Sequence, residues 1–260
     1  MRHLFLLVFL SSTFSTTSWA SNFNFQIGAY AWQQSISGDI TIGEFSTDVD
    51  LENDLGFDDE TNNTFYISIE HSIPIIPNIC IQKTDLDLSA SGNASIIFNG
   101  FSLSGPVRSN IDLSHTDITF YYQVLKKPLS PYRIPFNEIS MSIGATARLV
   151  DDVSLEATDV TRGRTESIDT NGVLPLLYIA ARIELPSPGL YLGADISGLD
   201  DELGINDVSL FDYRVNLGYE NRNGLGIEAG YRRLELNYDK SDDKADVTVD
   251  GAYLGIFYRF

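Results

Sequence analysis

Cysteine, histidine and basic charge are all scarce in this chain of 260 residues, and each scarcity excludes something. A single cysteine, Cys80, rules out an intramolecular disulfide framework. Of the three histidines, His3 falls in the extreme N-terminus, leaving His71 and His115, too few for a multi-histidine metal site. Lys and Arg number 17 against 36 Asp and Glu, a formal net charge of −19. That balance lacks the basic footprint of a nucleic-acid-binding protein. Beyond Leu10 no apolar run approaches the roughly 18–20 residues of a membrane-spanning helix.

The two ends carry recognisable patterns. Met1-Arg2-His3 is a short basic region, Leu4 to Leu10 an apolar core, and Ser18-Trp19-Ala20 a small-x-small cleavage site. Residues 1–20 are therefore expected to be a cleaved signal peptide, and 21–260 one all-β domain. At the other end Ala252, Leu254, Ile256, Tyr258 and Phe260 alternate with Tyr253, Gly255, Phe257 and Arg259. An alternating strand that stops on an aromatic resembles the closing strand of a bacterial outer-membrane β-barrel. That resemblance implies that Leu254, Ile256, Tyr258 and Phe260 belong to the signal read by the insertion machinery.

About ten alternating segments are expected, each near the ~9–11 residues a tilted strand needs to cross hydrocarbon. They lie at 23–33, 63–72, 79–90, 110–125, 138–149, 174–185, 190–197, 208–220, 225–238 and 247–260. Short Pro-, Gly- or Asn-containing connections (72–78, 126–137, 186–189 and 221–224) alternate with longer polar ones (34–62, 91–109, 150–173, 198–207 and 239–246). Short turns at one rim and long loops at the other are the pattern of transmembrane antiparallel barrels, whose short turns are periplasmic. Twelve strands result if Ser95–Leu103 or the 126–137 connection adds a pair. Aromatics at segment ends, Phe23, Phe65, Tyr122, Tyr219, Tyr258 and Phe260, suit an interfacial girdle. Two segments break parity. Ile79 and Ile81 give way to Leu86 and Leu88, and Ile227, Ala229 and Tyr231 to Leu234 and Leu236. Either a bulge shifts the pleat, or the strand runs beyond the membrane.

Parity places Lys83, Glu138, Arg148, Arg182, Glu184, Asp195, Asp212, Arg214, Glu228, Arg232 and Arg259 on the inner face, with Asp85, Asp87, Asp117 and Glu220. A barrel of about ten strands is narrow, and buried charges are tolerable when paired. The expected lumen is thus plugged by an ionic network, with a narrow solute channel as the alternative. His115 and Asp117, with Asp85 and Asp87 on the neighbouring segment, are the candidate catalytic group, His115 serving as base of a hydrolase acting on lipid A or peptide. The set resembles loosely the Asp pair and Asp/His pair of omptin proteases, ten-stranded outer-membrane barrels. In omptins, however, the pairs lie far apart around the rim and the Asp precedes the His. Glu70-His71-Ser72 is the other His/Ser/carboxylate grouping, but its residues alternate in parity. Asp48, Asp50, Glu52 and Asp54 form an acidic loop with the oxygen density that Ca2+ or Mg2+ takes, without EF-hand spacing.

Asp48-Val-Asp50-Leu51, Asp54-Leu-Gly-Phe-Asp58 and Glu70-His71-Ser72-Ile-Pro-Ile-Ile-Pro77-Asn78 together resemble an uncharacterised family of proteobacterial outer-membrane β-barrel proteins. Ser72 departs from the proline usual there after the histidine. The resemblance implies fold and location and brings no activity. The expectation is a monomeric outer-membrane barrel with a structural or surface-binding role, in contact with outer-membrane lipid and lipopolysaccharide, met by the insertion machinery during biogenesis, and needing no cofactor.

Overall fold

The computed structural model describes residues 23–41, 43, 46–98, 101–128, 136–200, 208–240 and 243–260. The expected signal peptide lies outside these residues, as do 129–135 and 201–207 of two connections. The strands are β1 (Phe23–Thr41), β2 (Val49–Asp50), β3 (Glu60–His71), β4 (Asn78–Thr84), β5 (Asp87–Phe98), β6 (Phe101–Asp112) and β7 (His115–Pro128). They continue as β8 (Glu138–Asp159), β9 (Arg164–Glu184), β10 (Leu190–Leu199), β11 (Val208–Glu220), β12 (Leu225–Lys240) and β13 (Asp243–Arg259).

Ten of them close a barrel, in the order β1-β3-β4-β7-β8-β9-β10-β11-β12-β13, with β13 pairing back onto β1. Every pairing is antiparallel, and the closing pair runs from Gln26↔Arg259 to Thr41↔Lys244. The outer wall of the lower half is apolar: Ile27, Ile67, Ile81, Ile143, Ile179, Val215, Ile227 and Leu254 are all exposed. In water such a surface would be costly; against acyl chains it is the lipid-facing belt of a transmembrane barrel. The short turns gather at one rim. In the tightest, Asn221 Oδ1 accepts from the amides of Asn223 and Leu225. Gly224 there takes φ 84°, which a side chain would strain.

Above the belt the same strands continue into water and build a cap. The β5–β6 hairpin docks on the upper part of β8, and β2 adds to β1 through Ile40↔Val49. Leu51, Leu55 and Phe57 from the acidic loop meet Leu86, Leu88 and Ile96 of the β5 arm. They are joined by Leu103 and Ile111 of β6, and by Ile36, Leu234, Val247 and Val249 from the barrel strands. The result is one buried apolar core.

Both parity breaks are explained by this change of environment, with no bulge. Along β12 the even residues point inward throughout, and its register with β13 is unbroken from Leu225↔Tyr258 to Lys240↔Asp243. Ile227 and Tyr231 face lipid, whereas Leu234 faces the cap core. Cys80, Gln82, Thr84, Leu86 and Leu88 likewise share the inward face.

The segments 91–109 and 150–173, expected as loops, are largely strand, as is 34–41. Ser95–Phe98 pair with Phe101–Ser104 in the cap hairpin and add no pair to the barrel. Lys126 to Pro128, expected in a turn, extend β7 opposite Glu138 to Ser140. The alternation assigned to an inner Lys83, Asp85 and Asp87 belongs to the outer face: Lys83 and Asp87 are exposed and Asp85 is half-exposed, in parity with Ile79 and Ile81.

Candidate functional site: a charged layer across the lumen

The pairing order brings inward residues that are far apart in sequence to one level. Asp117 on β7 sits directly opposite Arg148 on β8, and Arg214 on β11 directly opposite Arg232 on β12. Two arginines face to face would repel; they turn to different carboxylates, Arg232 to Asp212, one inward step along β11, and Arg214 to Asp195 on β10.

The layer is a zigzag of bidentate contacts. Arg148 donates through Nε to Asp117 Oδ1 at 2.8 Å and through Nη2 to Asp117 Oδ2 at 2.7 Å. The same Nη2 reaches Asp212 Oδ2 at 2.6 Å. Arg232 grips Asp212 from the other side, Nε to Oδ1 at 2.9 Å and Nη2 to Oδ2 at 2.6 Å. Its Nη1 donates to Tyr30 Oη at 3.0 Å and to Thr84 Oγ1 at 3.1 Å, and its guanidinium stacks 4.6 Å from the Trp32 ring centre. Six barrel strands are thereby tied together. Arg148 is 2 % exposed and Arg232 not at all, so removing one partner would strand an uncompensated buried charge.

His115 closes one end of the layer. Its Nδ1 lies 2.9 Å from the Leu113 carbonyl, to which it donates, so Nε2 is the acceptor, 3.4 Å from Arg232 Nη2. The lone pair a general base would use points into a guanidinium. Asp117 stands 3.9 Å from Nε2, but Asp85 and Asp87 are on the other side of the wall. The expected catalytic quartet is therefore divided between the two faces of the sheet. Glu70 and His71 are divided too: Glu70 accepts from Tyr121 Oη at 3.0 Å, while His71 lies edge-on to Phe23. Among the described residues His115, Asp117 and Asp212 are the one set of three ligand-type side chains whose donor atoms lie within 4.8 Å of one another. Their oxygens already receive two arginines, so the site fits no cation.

Below the layer the remaining inner charges pair as well. Arg214 reaches Asp195 at 3.1 Å and Gln82 Oε1 at 3.3 Å. A polar cavity of about 50 Å³ lies between, bounded by Cys80, Gln82, Tyr178, Ser197 and the underside of Asp212 and Arg232, enough for a few waters at about 10–15 Å³ each. Glu228 accepts from Tyr191 Oη at 3.3 Å. At the short-turn rim Arg182 stacks on Tyr191 and bonds Glu184 at 2.7 Å. Arg259 bonds Glu220 at 3.3 Å and Gln26 at 2.9 Å, and Glu138 meets Lys126 at 3.6 Å. Of the residues around Arg232, parity alone could not single out Tyr30, Thr84 or Trp32, because their part depends on level in the barrel.

The acidic loop uses its carboxylates internally. Asp50 accepts from the Asn53 amide at 2.8 Å and from the Asn53 side chain at 2.8 Å. These bonds hold its carboxyl below the usual carboxylate range. Asp54 accepts from the Asp50 amide at 3.0 Å, and Asp48 is bonded by Thr41. They brace a turn that presents Leu51 and Leu55 to the cap core. Glu52 is exposed.

No protein-family model matches the chain, and no curated protein does. Among solved structures its fold is similar to outer membrane protease OmpT from Escherichia coli, with 11 % identity, 95 % of this chain and 99 % of that one covered, and a TM-score of 0.49. The translocator domain of autotransporter NalP from Neisseria meningitidis matches at 12 % identity, 91 % and 89 % coverage and a TM-score of 0.48. Ail of Yersinia pestis matches at 10 %, 92 % and 99 %, with a TM-score of 0.37. The barrel assignment itself rests on the strand pairing and the apolar belt described above.

Proposed function

We propose that the protein is a closed outer-membrane barrel whose work is done outside the membrane, by the cap that its extended strands carry. The observation that carries this reading is the stacking of two barriers in one lumen. A buried Asp117–Arg148–Asp212–Arg232 layer spans it, and a continuous apolar core rests on top. An ion would have to break bidentate, desolvated pairs and then cross the cap core. A substrate would have to do the same to reach His115. The cap, by contrast, offers water a β-structured surface with an acidic cleft of about 520 Å³ between Asp39, Asp48, Asp239 and Asp246, suited to a structural or surface-binding role. The resemblance of the Asp-Leu-Gly loop and the Glu-His…Pro-Asn turn to proteobacterial outer-membrane barrels supports the same location. Planar-bilayer recording of the refolded protein tests the reading. Silent membranes are expected; discrete conductance steps that change in Arg214→Ala would replace it with a narrow channel.

A further inference from the structure

The turn between β3 and β4 differs chemically from the β9–β10 and β11–β12 turns at its rim. The β11–β12 turn is Asn221-Arg-Asn-Gly224 and the β9–β10 turn is Leu185-Pro-Ser-Pro-Gly189, whereas Ser72–Pro77 reads Ser-Ile-Pro-Ile-Ile-Pro. Ile75 is 84 % exposed and Ile76 50 %. Apolar side chains held out on a short turn mark a surface that something covers.

Two observations identify the cover. Tyr122, in the outward row of β7, donates its hydroxyl to the Ile75 carbonyl at 2.9 Å. That bond holds the turn against the lipid-facing side of the wall, continuous with the belt. Moreover, the belt is short in this sector. A strand rises about 3.3 Å per residue and tilts about 40°, so each residue adds about 2.5 Å of height. On β8 the outward apolar residues run from Ile139 to Leu149 and on β9 from Val173 to Ile183, which is roughly 25 Å by that rise. On β4 they are Ile79 and Ile81 alone, and Lys83 follows on the same face. A bilayer as thick here as a few strands away needs the missing apolar height below β4. The turn lies there. So does the β7 irregularity between Gln123 and Leu125, where Val124 and Leu125 are both exposed.

We propose that Ser72–Pro77 is a lipid-immersed wedge. Ile73, Ile75 and Ile76 lie among the acyl chains of the periplasmic leaflet and complete the belt beneath β3 and β4. The sector is thereby set deep enough for Lys83 to extend its ammonium to the opposite headgroups. The full mature chain carrying Ile75→Trp, and separately Ile76→Trp, tests this in phosphatidylethanolamine–phosphatidylglycerol vesicles, with the Trp32 signal subtracted. Asn223→Trp in the polar β11–β12 turn serves as the aqueous reference. The expected result at both positions is blue-shifted emission, quenched several-fold more than the reference by lipids brominated on their acyl chains and several-fold less by iodide. Water-like emission with strong iodide quenching in either folded variant would overturn the wedge and leave the isoleucines as a docking surface for a periplasmic protein. Each variant is checked for folding by its gel mobility before and after boiling, and the second position still reads the turn if the first fails to fold.

Discussion

The lower and upper halves of this molecule are built from the same strands with the same pleat and opposite polarity. Below, Ile27 of β1, Ile227 of β12 and Leu254 of β13 point out and are exposed, while Tyr30, Glu228 and Tyr253 point in. Above, Ile36, Leu234 and Val249 point in and are buried, and their outward neighbours are polar. The half in lipid hides its charges and shows its hydrocarbon; the half in water does the reverse. Where the two regimes meet, near Arg232 and its β13 partner Gly251, the lumen changes from paired charge to apolar core. Gly251 permits that junction: a Cβ there would meet the Gln33 carbonyl oxygen at 1.9 Å, and its φ of 154° disfavours other residues.

The largest way to disturb this arrangement is at the junction. Arg232→Ala leaves Asp212 buried with one of its two partners gone, and a loss of about 3–5 kcal/mol is expected. Urea unfolding in lipid vesicles measures it; a loss below about 1 kcal/mol would mean that water already reaches Asp212. Next comes a matched pair of outward substitutions. Leu254→Arg, in the belt, should cost about 2–4 kcal/mol, whereas Val160→Arg, exposed in the β8–β9 turn above it, should stay within about 0.5 kcal/mol. Equal effects would erase the distinction between the halves.

Leu88→Ala should cost about 2–3 kcal/mol through the cavity it leaves, and only in the cap. Protease should then cut the cap hairpin sooner while the heat-dependent gel mobility of the barrel is unchanged. Joint loss of both would show that the halves fold as one unit. The smallest effect is on pH. Folding lowers the carboxyl pKa of Asp50, through Asn53, and of Asp159, through the Arg162 amide and side chain. A depressed carboxylate stabilises the fold above its unfolded pKa, about 3.8 for an aspartate, and that contribution disappears as pH falls below this toward the folded pKa. Amide protection in these two turns, relative to the intrinsic exchange rate at each pH, should fall below about pH 4, and Asp50→Asn should remove the change in its own turn.

Much of the lower half was legible in the sequence, because lipid demands uninterrupted alternation and the segments ending in Tyr219, Tyr258 and Phe260 provide it. The charges of the lumen are legible as a face, but Lys83, Asp85 and Asp87 lie on the outer one, because Leu86 and Leu88, which share the opposite parity, face the cap core. Pairings such as Arg148 with Asp212 depend on the strand register and on which walls face each other, which parity does not carry. The cap was hidden for another reason. Its strands are rich in Ser, Asn and Gly, as in Asp87-Leu-Ser-Ala-Ser-Gly-Asn-Ala94, which locally signals a loop. Their small apolar residues become a core only when β5, β6 and the acidic loop are brought together from distant parts of the chain.

Site-directed spin labelling along β12, from position 227 to 236 with Cys80 replaced by serine, tests the inversion most directly. Oxygen should collide best with labels at 227, 229 and 231, a water-soluble nickel chelate best at 233 and 235, and neither with labels at 234 and 236. Strong oxygen access at 234 and 236 would show that the pleat shifts and the lipid face continues, which contradicts a strand that keeps its face and changes its environment.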